Sequence, residues 1–487
     1  MEFATQPIIR APWPRYKVDV GMWAGLTDDL VAEKITLLGL WGEKTHVHMC
    51  VYDPATHDVA IASFAVVNGA FPSVACRHLP ATRLERAICD FFGHRAEGAI
   101  DTRPWIDHGK WAVRNPLGDG GASDGDTDYA FLPVEGEGVH EIPVGPIHAG
   151  IIEPGHFRFS ANGETVVRLE GRLGFVHKGV EKLFEGADVA CGAKLAGRIS
   201  GDSTVAYSYA YARAVEEALG VAVPPRAQLL RALMAELERI ANHFGDIGAI
   251  CNDAAFALML AHLGILREET LRLCCDCFGH RLMMDCVVPG GVAADLFEAG
   301  AAQIRDWVRD AEKRFDKLID VYDSTASLKD RTNNTGAVPN RLVKLFGAGG
   351  FVGRASGRAF DARVCLPYEP YDVVKVDMPV MHPGDVNARL WVRRCEVRES
   401  FSVIRQIIGR LPEGDIRVPL PAGGGKGEGM AIVEAFRGDV LVWLRLGADG
   451  EILRCHPRDA SWFQWPLLEA AIENNLVADF PLCNKSF

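Results

Sequence analysis

The alternation of apolar and polar positions separates stretches of period two from stretches of helical period. THVHMCVYDPATHDVAIASFAVV (45–67) alternates and is rich in Val, Ile and Thr, and Asp53-Pro54 interrupts it, which predicts a hairpin. ATRLERAICDFFG (81–93) has helical apolar spacing and stops at Gly93, a residue suited to a left-handed cap. HFRFSANGETVVRLEGRLGF (156–175) reads as two strands about Asn162-Gly163. After Gly179 the helical period takes over. PPRAQLLRALMAELERIANHFGDIGAIC (224–251), opened by Pro225, is amphipathic; LREETLRLCCDCFGHRLMM (266–284), GAAQIRDWVRDAEKRFDKLIDVYDSTAS (300–327) and ARLWVRRCEVRESFSVIRQII (388–408) continue the series, which suggests a bundle. VPLPAGGGKGEG (418–429) is a loop, and AIVEAFRGDVLVWLRLGADGEILR (431–454) a hairpin or meander. LGDGGASDGDTD (117–128) is the best linker. The expected fold class is α+β: a small α+β domain over 1–135, then a mainly helical domain over 139–487 with peripheral hairpins.

Length and composition change this picture little. The 487 residues suit two or three domains, and 48% hydrophobic with 24% charged is ordinary for a globular chain. The net charge of −12 argues against a nucleic-acid partner, which calls for a basic face. Thirteen cysteines in a chain of this length do not make a disulfide framework, and the first residues show no signal-peptide pattern, so a reduced, cytosolic setting is expected. No apolar run reaches the ~18 residues of a membrane span, so membrane association must come through partners. Cys274, Cys275, Cys277, His280 and Cys286 lack the spacing of a zinc site and read as small apolar side chains. GGGKGEG (423–429) lacks the Ser or Thr of a phosphate loop, and GAGGFVG (347–353) is not a dinucleotide fingerprint.

Five blocks carry a resemblance: GPIHAGIIEPGHF (145–157), RLGFVHKGVEKL (172–183), VPPRAQLLRALMAELERIANHF (223–244), GFVGRASGRAFDARVCLPYEPYD (350–372), and Arg198-Ile199-Ser200-Gly201-Asp202-Ser203. Together they resemble the large subunit of energy-converting nickel–iron hydrogenases of the formate-hydrogenlyase type and the forty-nine-kilodalton subunit of respiratory complex I. The helix LERAICDFFGH (84–94) resembles an element of the thirty-kilodalton subunit of complex I, so the first domain resembles that module. The resemblance implies a hydrogenase-large-subunit-like fold. It also implies a partner small subunit, of the twenty-kilodalton complex I type, carrying a 4Fe–4S cluster, and membrane-arm subunits. The chain would lie peripherally on the cytoplasmic face of the cytoplasmic membrane.

The departures from that family are specific. Ser200 and Ser203 stand where hydrogenases carry two metal-binding cysteines, and Tyr207 where they carry a histidine. VADFPLCNKSF stops before the second cysteine pair would arrive, and Cys483 sits too early to belong to it. A hydroxyl is a poor ligand for nickel or low-valent iron, so a nickel–iron centre is expected to be absent and no other metal is expected. Against complex I, His148 matches a histidine and Asp253 an aspartate of the quinone site, while the tyrosine of that site falls on Leu195. His148 and Asp253 are therefore candidates for a quinone or proton relay. The alternatives are a loop-fixing histidine and a capping or ion-paired aspartate. Arg198 and Arg354 are expected to organise the buried site by pairing with acids, and Glu153 matches an acidic position near the hydrogenase proton path. The sequence thus points to a complex I-like oxidoreductase subunit that couples electron transfer, with quinone as a possible acceptor, to ion translocation. A non-catalytic coupling scaffold is the alternative, and a true hydrogenase the weaker one.

Overall fold

The computed structural model describes residues 7, 13–122, 125, 129–148, 153–421 and 427–487. The chain divides into two compact units. The first comprises residues 1–182, 341–348 and 461–480, and the second 183–340, 349–460 and 481–487.

In the first unit, four strands form a mixed sheet in the order Arg15–Val18, Asp58–Ala65, His46–Asp53, Thr36–Gly42. The predicted hairpin is its centre, with Val47 opposite Phe64 and Val51 opposite Ala60. Asp19 caps the helix Val20–Val31 by accepting from the Met22 amide at 2.8 Å. The helix Thr82–Phe92 buries Leu84, Ile88, Phe91 and Phe92 in the core and ends on left-handed Gly93, as its pattern predicts. The expected linker begins inside this core: Leu117 is buried and its amide donates to the Phe91 carbonyl, because a lone leucine among Gly and Asp still gains by leaving water. Residues 123–124 and 126–128 lie outside the described residues. A second, antiparallel sheet joins Val139–Val144, His156–Asn162 and Thr165–Arg172. It falls with the first unit because Arg103 reaches Glu170 at 2.7 Å, and Glu469 holds both Arg83 (2.6 Å) and the Gly171 amide (2.7 Å).

The second unit is built on the helices Thr204–Leu219, Pro225–Asp253, Ala257–Phe278, Glu298–Ser324 and Val386–Arg410. The antiparallel meander Glu428–Ala435, Gly438–Leu446, Ile452–Arg458 packs against the first of them. The sequence placed one helix at 266–284, but it runs from Ala257 to Phe278. Its opening stretch ALMLAHLGI is too uniformly apolar to show a helical stripe, and Gly279 (φ 82) caps it after Phe278, short of the expected end at 284. At Gly350 (φ 61) a side chain would run into the Arg437 carbonyl, so glycine lets the helix Gly350–Ala355 begin against the 437–438 turn. This close approach sets the places of Arg354 and Arg437. Among the described residues no helix is long and apolar enough to cross a membrane. The fold class is α+β, as expected.

Candidate functional site

The serine turn opens the helix Thr204–Leu219. Ser200 is extended (φ −143, ψ 127), and Gly201–Ser203 form one 3-10 turn. This geometry folds both hydroxyls onto one oxygen: Ser200 Oγ and Ser203 Oγ donate to Asp202 Oδ1 at 2.5 and 3.2 Å. Asp202 Oδ2 accepts from Arg437 Nη1 at 2.8 Å, and Asn242 Nδ2 donates to the Asp202 carbonyl at 2.7 Å. Burial raises the Asp202 carboxyl, but Arg437 and the two hydroxyls outweigh it and hold it below the usual range. Burial works against the Arg437 charge, and the fields of Asp202, Asp246 and Asp459 more than restore it. Around this guanidinium, Tyr207 donates to Asp459 Oδ2 at 2.5 Å and Arg393 donates to Asp246 at 3.3 Å. Burial and the Asp459 charge keep the Tyr207 phenol protonated.

These residues do not fit a nickel–iron centre. Such a centre needs soft thiolate donors, whereas both hydroxyls here are spent on a hard carboxylate. The carboxylate in turn carries a guanidinium that would repel a metal cation.

A second cluster lies wholly inside the same unit, centred on Arg354, which has no exposed surface. Its Nη1 donates to the Phe360 carbonyl (2.9 Å), Asp361 Oδ2 (3.2 Å) and Glu434 Oε1 (3.1 Å), and its Nη2 to Glu396. Arg363 grips Asp361 through Nε and Nη2 at 3.0 and 2.7 Å and reaches Glu236 at 2.9 Å. Glu236 also holds Arg239, Ser400 and Tyr371. Burial alone would raise Glu236, yet Arg239 and Arg363 hold it down at about 2. Glu434 is pushed up to about 7 by burial and by the Asp361 charge, against the pull of Arg354. Three guanidinium groups thus face three acids and a fourth that takes a proton near neutrality. His243 Nε2 meets Glu396 at 2.6 Å. Burial and the charges of Arg393, Arg239, Arg354 and Arg363 push the imidazole well below its usual range, so it donates a hydrogen bond as a neutral ring.

The sequence candidates fall in different places. Ser200, Ser203 and Arg354 lie in the second unit's two clusters. Arg198 does not organise a buried site: it is exposed and forks onto Asp285 at 2.7 and 2.9 Å. The reason is local, since Arg198 follows Gly197 at the end of the short helix Val189–Ala196, where its stem turns outward. His148 lies in the first unit, half-buried 5.7 Å from the Phe157 ring, and its Nε2 is buried without a hydrogen-bond partner among the described residues. Glu153, in that unit, is exposed. Asp253 is the partly buried last residue of the helix Pro225–Asp253 in the second unit, and Leu195 lies in the helix Val189–Ala196 of that unit.

Sequence reasoning missed Asp202, Arg437, Glu236, Arg239, His243, Glu396 and Glu434. A signal was present for three of them. Glu236, Arg239 and His243 recur at i, i+3 and i+7, a charged stripe on a helix whose other faces are also apolar, which is the pattern of a buried polar network. Asp202 lies between the two serines but shows its role only once the turn folds, and Arg437, Glu396 and Glu434 reach the clusters from a distant turn, helix and strand and carry no local signal.

Comparison with known proteins agrees with this frame. Residues 178–245 match the family model described as nickel-dependent hydrogenase, and residues 246–423 match that of the respiratory-chain NADH dehydrogenase 49 kDa subunit. Formate hydrogenlyase subunit 5 of Escherichia coli is 30% identical over 85% of this chain and 74% of its own. An NADH-quinone oxidoreductase subunit of Roseiflexus is 32% identical over 70% of this chain and 94% of its own. A chain from the structure of the membrane-bound sulfane sulfur reductase, an archaeal respiratory membrane complex, superposes with a TM-score of 0.68 at 26% identity, covering 73% of this chain and 97% of that one. With the serine turn, the Arg354 cluster and these relatives together, the chain belongs to the family that unites the large subunits of membrane-bound hydrogenases with the forty-nine-kilodalton-type subunits of NADH–quinone oxidoreductases.

Proposed function

We propose that this chain is the forty-nine-kilodalton-type core subunit of a membrane-associated, complex I-like oxidoreductase complex that works without a nickel–iron site. The observation that carries the reading is the serine turn. In a frame that otherwise keeps the family's blocks, two hydroxyls, Asp202 and Arg437 satisfy one another where thiolates would hold metal. On this reading the stretch 1–135 is a thirty-kilodalton-type module. A neighbouring subunit of the twenty-kilodalton type delivers electrons from its 4Fe–4S cluster, and membrane-arm subunits translocate ions from the cytoplasmic face. Quinone is the proposed acceptor, and His148 and Asp253, each within its own unit, are proposed separately as candidate proton donors; the His148 Nε2, buried without a hydrogen-bond partner among the described residues, supports the role of His148.

A second reading, a coupling scaffold without redox chemistry of its own, draws support from the Arg354 cluster. There, four acids and three arginines inside the second unit hold one another.

The test is elemental analysis of the native complex together with hydrogen-dependent dye reduction. Iron without nickel and no hydrogen oxidation is the expected result, and stoichiometric nickel would overturn the reading. Quinone analogues that perturb the cluster's EPR signal favour the redox reading over the scaffold.

A further inference from the structure

Beside the serine turn the second unit contains a cavity of about 230 Å³. Exposed Gly201, Arg267 and Arg281 stand at its rim, and Leu237, Cys274 and Glu238 line its buried part. One water needs only about 10–15 Å³ of such space, so the cavity has room for several.

Glu238 is 8% exposed. Its Oε2 accepts from the Val205 amide at 2.7 Å and its Oε1 from the Ala206 amide at 3.1 Å. No cation forms an ion pair with it among the described residues. Two residues earlier on the same helix, Glu236 is held by Arg239 and Arg363. One helix therefore carries two buried glutamates with opposite surroundings, and the uncompensated one faces the cavity. The charged and titratable groups around Glu238 come from every neighbouring element. Asp202 lies on the serine turn, and Arg239 follows on its own helix but points to Glu236. Cys274 comes from the helix Ala257–Phe278, with its thiol kept protonated by burial. Arg267 and Arg281 stand across the cavity, Arg281 forked onto Glu268 at 3.0 and 2.7 Å.

We infer that Glu238 is a proton-loading carboxyl, which releases its proton to water in this cavity and takes it back, next to the charged Asp202. Both protonation states have a defined environment. When the proton leaves for a cavity water, the carboxylate remains on two amide N–H groups at the start of the helix Thr204–Leu219, where the helix dipole favours negative charge. When the proton returns, it relieves the cost of an unpaired buried charge beside Asp202. Burial, helped by the Asp202 charge, pushes the carboxyl up to about 8 against the pull of the two amides. That places the exchange where a proton carrier is most useful. The inference rests on and deepens the reading proposed above, in which quinone reduction at this subunit takes up protons, but it is tested on the carboxyl itself.

The experiment is infrared difference spectroscopy on the full chain in its native complex, labelled with ¹³C-carboxyl glutamate and titrated from about pH 6 to about pH 10. The expected result is a protonated-carboxyl C=O band that titrates near neutral to mildly alkaline pH and is absent in Glu238→Gln. Exchange into D₂O should shift this band promptly, because the cavity admits water. Asp202→Asn, which removes the neighbouring charge, should lower the midpoint by about one unit or more. If Glu238→Gln fails to assemble, the Asp202→Asn shift of the same band decides the matter. A glutamate spectrum unchanged by Glu238→Gln, or a midpoint indifferent to Asp202→Asn, overturns the inference. Neither result depends on the nickel content, so failure here is distinct from failure of the metal-free reading.

Discussion

The two charged clusters of the second unit, one buried and one half-buried, handle charge in different ways. Around Arg354, every carboxylate meets a guanidinium and no group is exposed by more than a few per cent. Around the serine turn, Arg437 and Asp202 retain side-chain exposures of 31% and 35%, and Glu238 faces a cavity with no cation paired to it among the described residues. Asp361 and Glu236, gripped by guanidinium groups in a dry interior, stay charged, because a proton there would leave a partner uncompensated, whereas Glu434, pushed up by burial and by the Asp361 charge, is the acid of this set that takes a proton near neutrality. A carboxyl beside water, supported only by amides, keeps two states within reach. The first cluster, Glu434 apart, is locked by mutual pairing, and the second leaves Glu238 the two states on which the proton-loading inference rests.

Arg354→Met strikes the paired cluster hardest. It leaves Asp361, Glu396 and Glu434 facing one another without their shared cation, and breaking such a buried set costs about 3–5 kcal/mol. Urea denaturation of the complex followed by second-unit tryptophans measures it; a loss below about 1 kcal/mol would mean that the cluster is not the structural centre described.

A smaller effect separates two acids of the same cluster. Glu396→Gln removes the partner of both Arg354 and His243 and is expected to cost a few kcal/mol. Glu434→Gln should cost about 1 kcal/mol near pH 5, where the wild-type carboxyl is already protonated. The Glu434 carboxyl is raised from 4.5 to about 7 on folding. Its stabilising contribution is therefore complete below the unfolded value and lost as pH rises through the folded one. The Glu434→Gln deficit should accordingly shrink as pH increases from about 5 to about 9, whereas that of Glu396→Gln should not follow the same course. Melting temperatures across this range report the slope, and parallel curves for the two variants would remove the distinction between them.

The smallest effects sharpen the other side. Ser203→Ala deletes one of the hydroxyls on Asp202 and should cost about 1 kcal/mol, with the Asp202 carboxyl moving up. Arg198→Ala removes only an exposed pair and should fall within about 0–1 kcal/mol. Equal losses from the two would show that the serine turn is no more ordered than the surface.

How much of this was legible in the sequence follows from distance along the chain. The 45–67 hairpin, the Gly93 cap and the start of the helix at Pro225 are local events, set by side chains within a few residues of one another. That hydroxyls stand at Ser200 and Ser203 was equally visible, because it needs only residue type. The helix Ala257–Phe278 was misplaced where an unbroken apolar run concealed its period. Arg198 and Arg354 looked alike in sequence, and burial separated them: one forks onto Asp285 at the surface, the other has no contact with solvent.

By itself the sequence determined the α+β class, most of the helices and hairpins, and the placing of hydroxyls at Ser200 and Ser203, all of which depend on periodicity and residue type. Only the tertiary structure decided what surrounds those hydroxyls and the buried charges. Arg437 comes from a turn 235 residues beyond Asp202, and Glu396 and Glu434 reach Arg354 from 42 and 80 residues away. The protonation of a buried acid depends on which cations the fold brings within a few ångströms and whether water can reach it. Glu236 and Glu238 are two residues apart in the sequence, and their opposite surroundings exist only once the chain has folded.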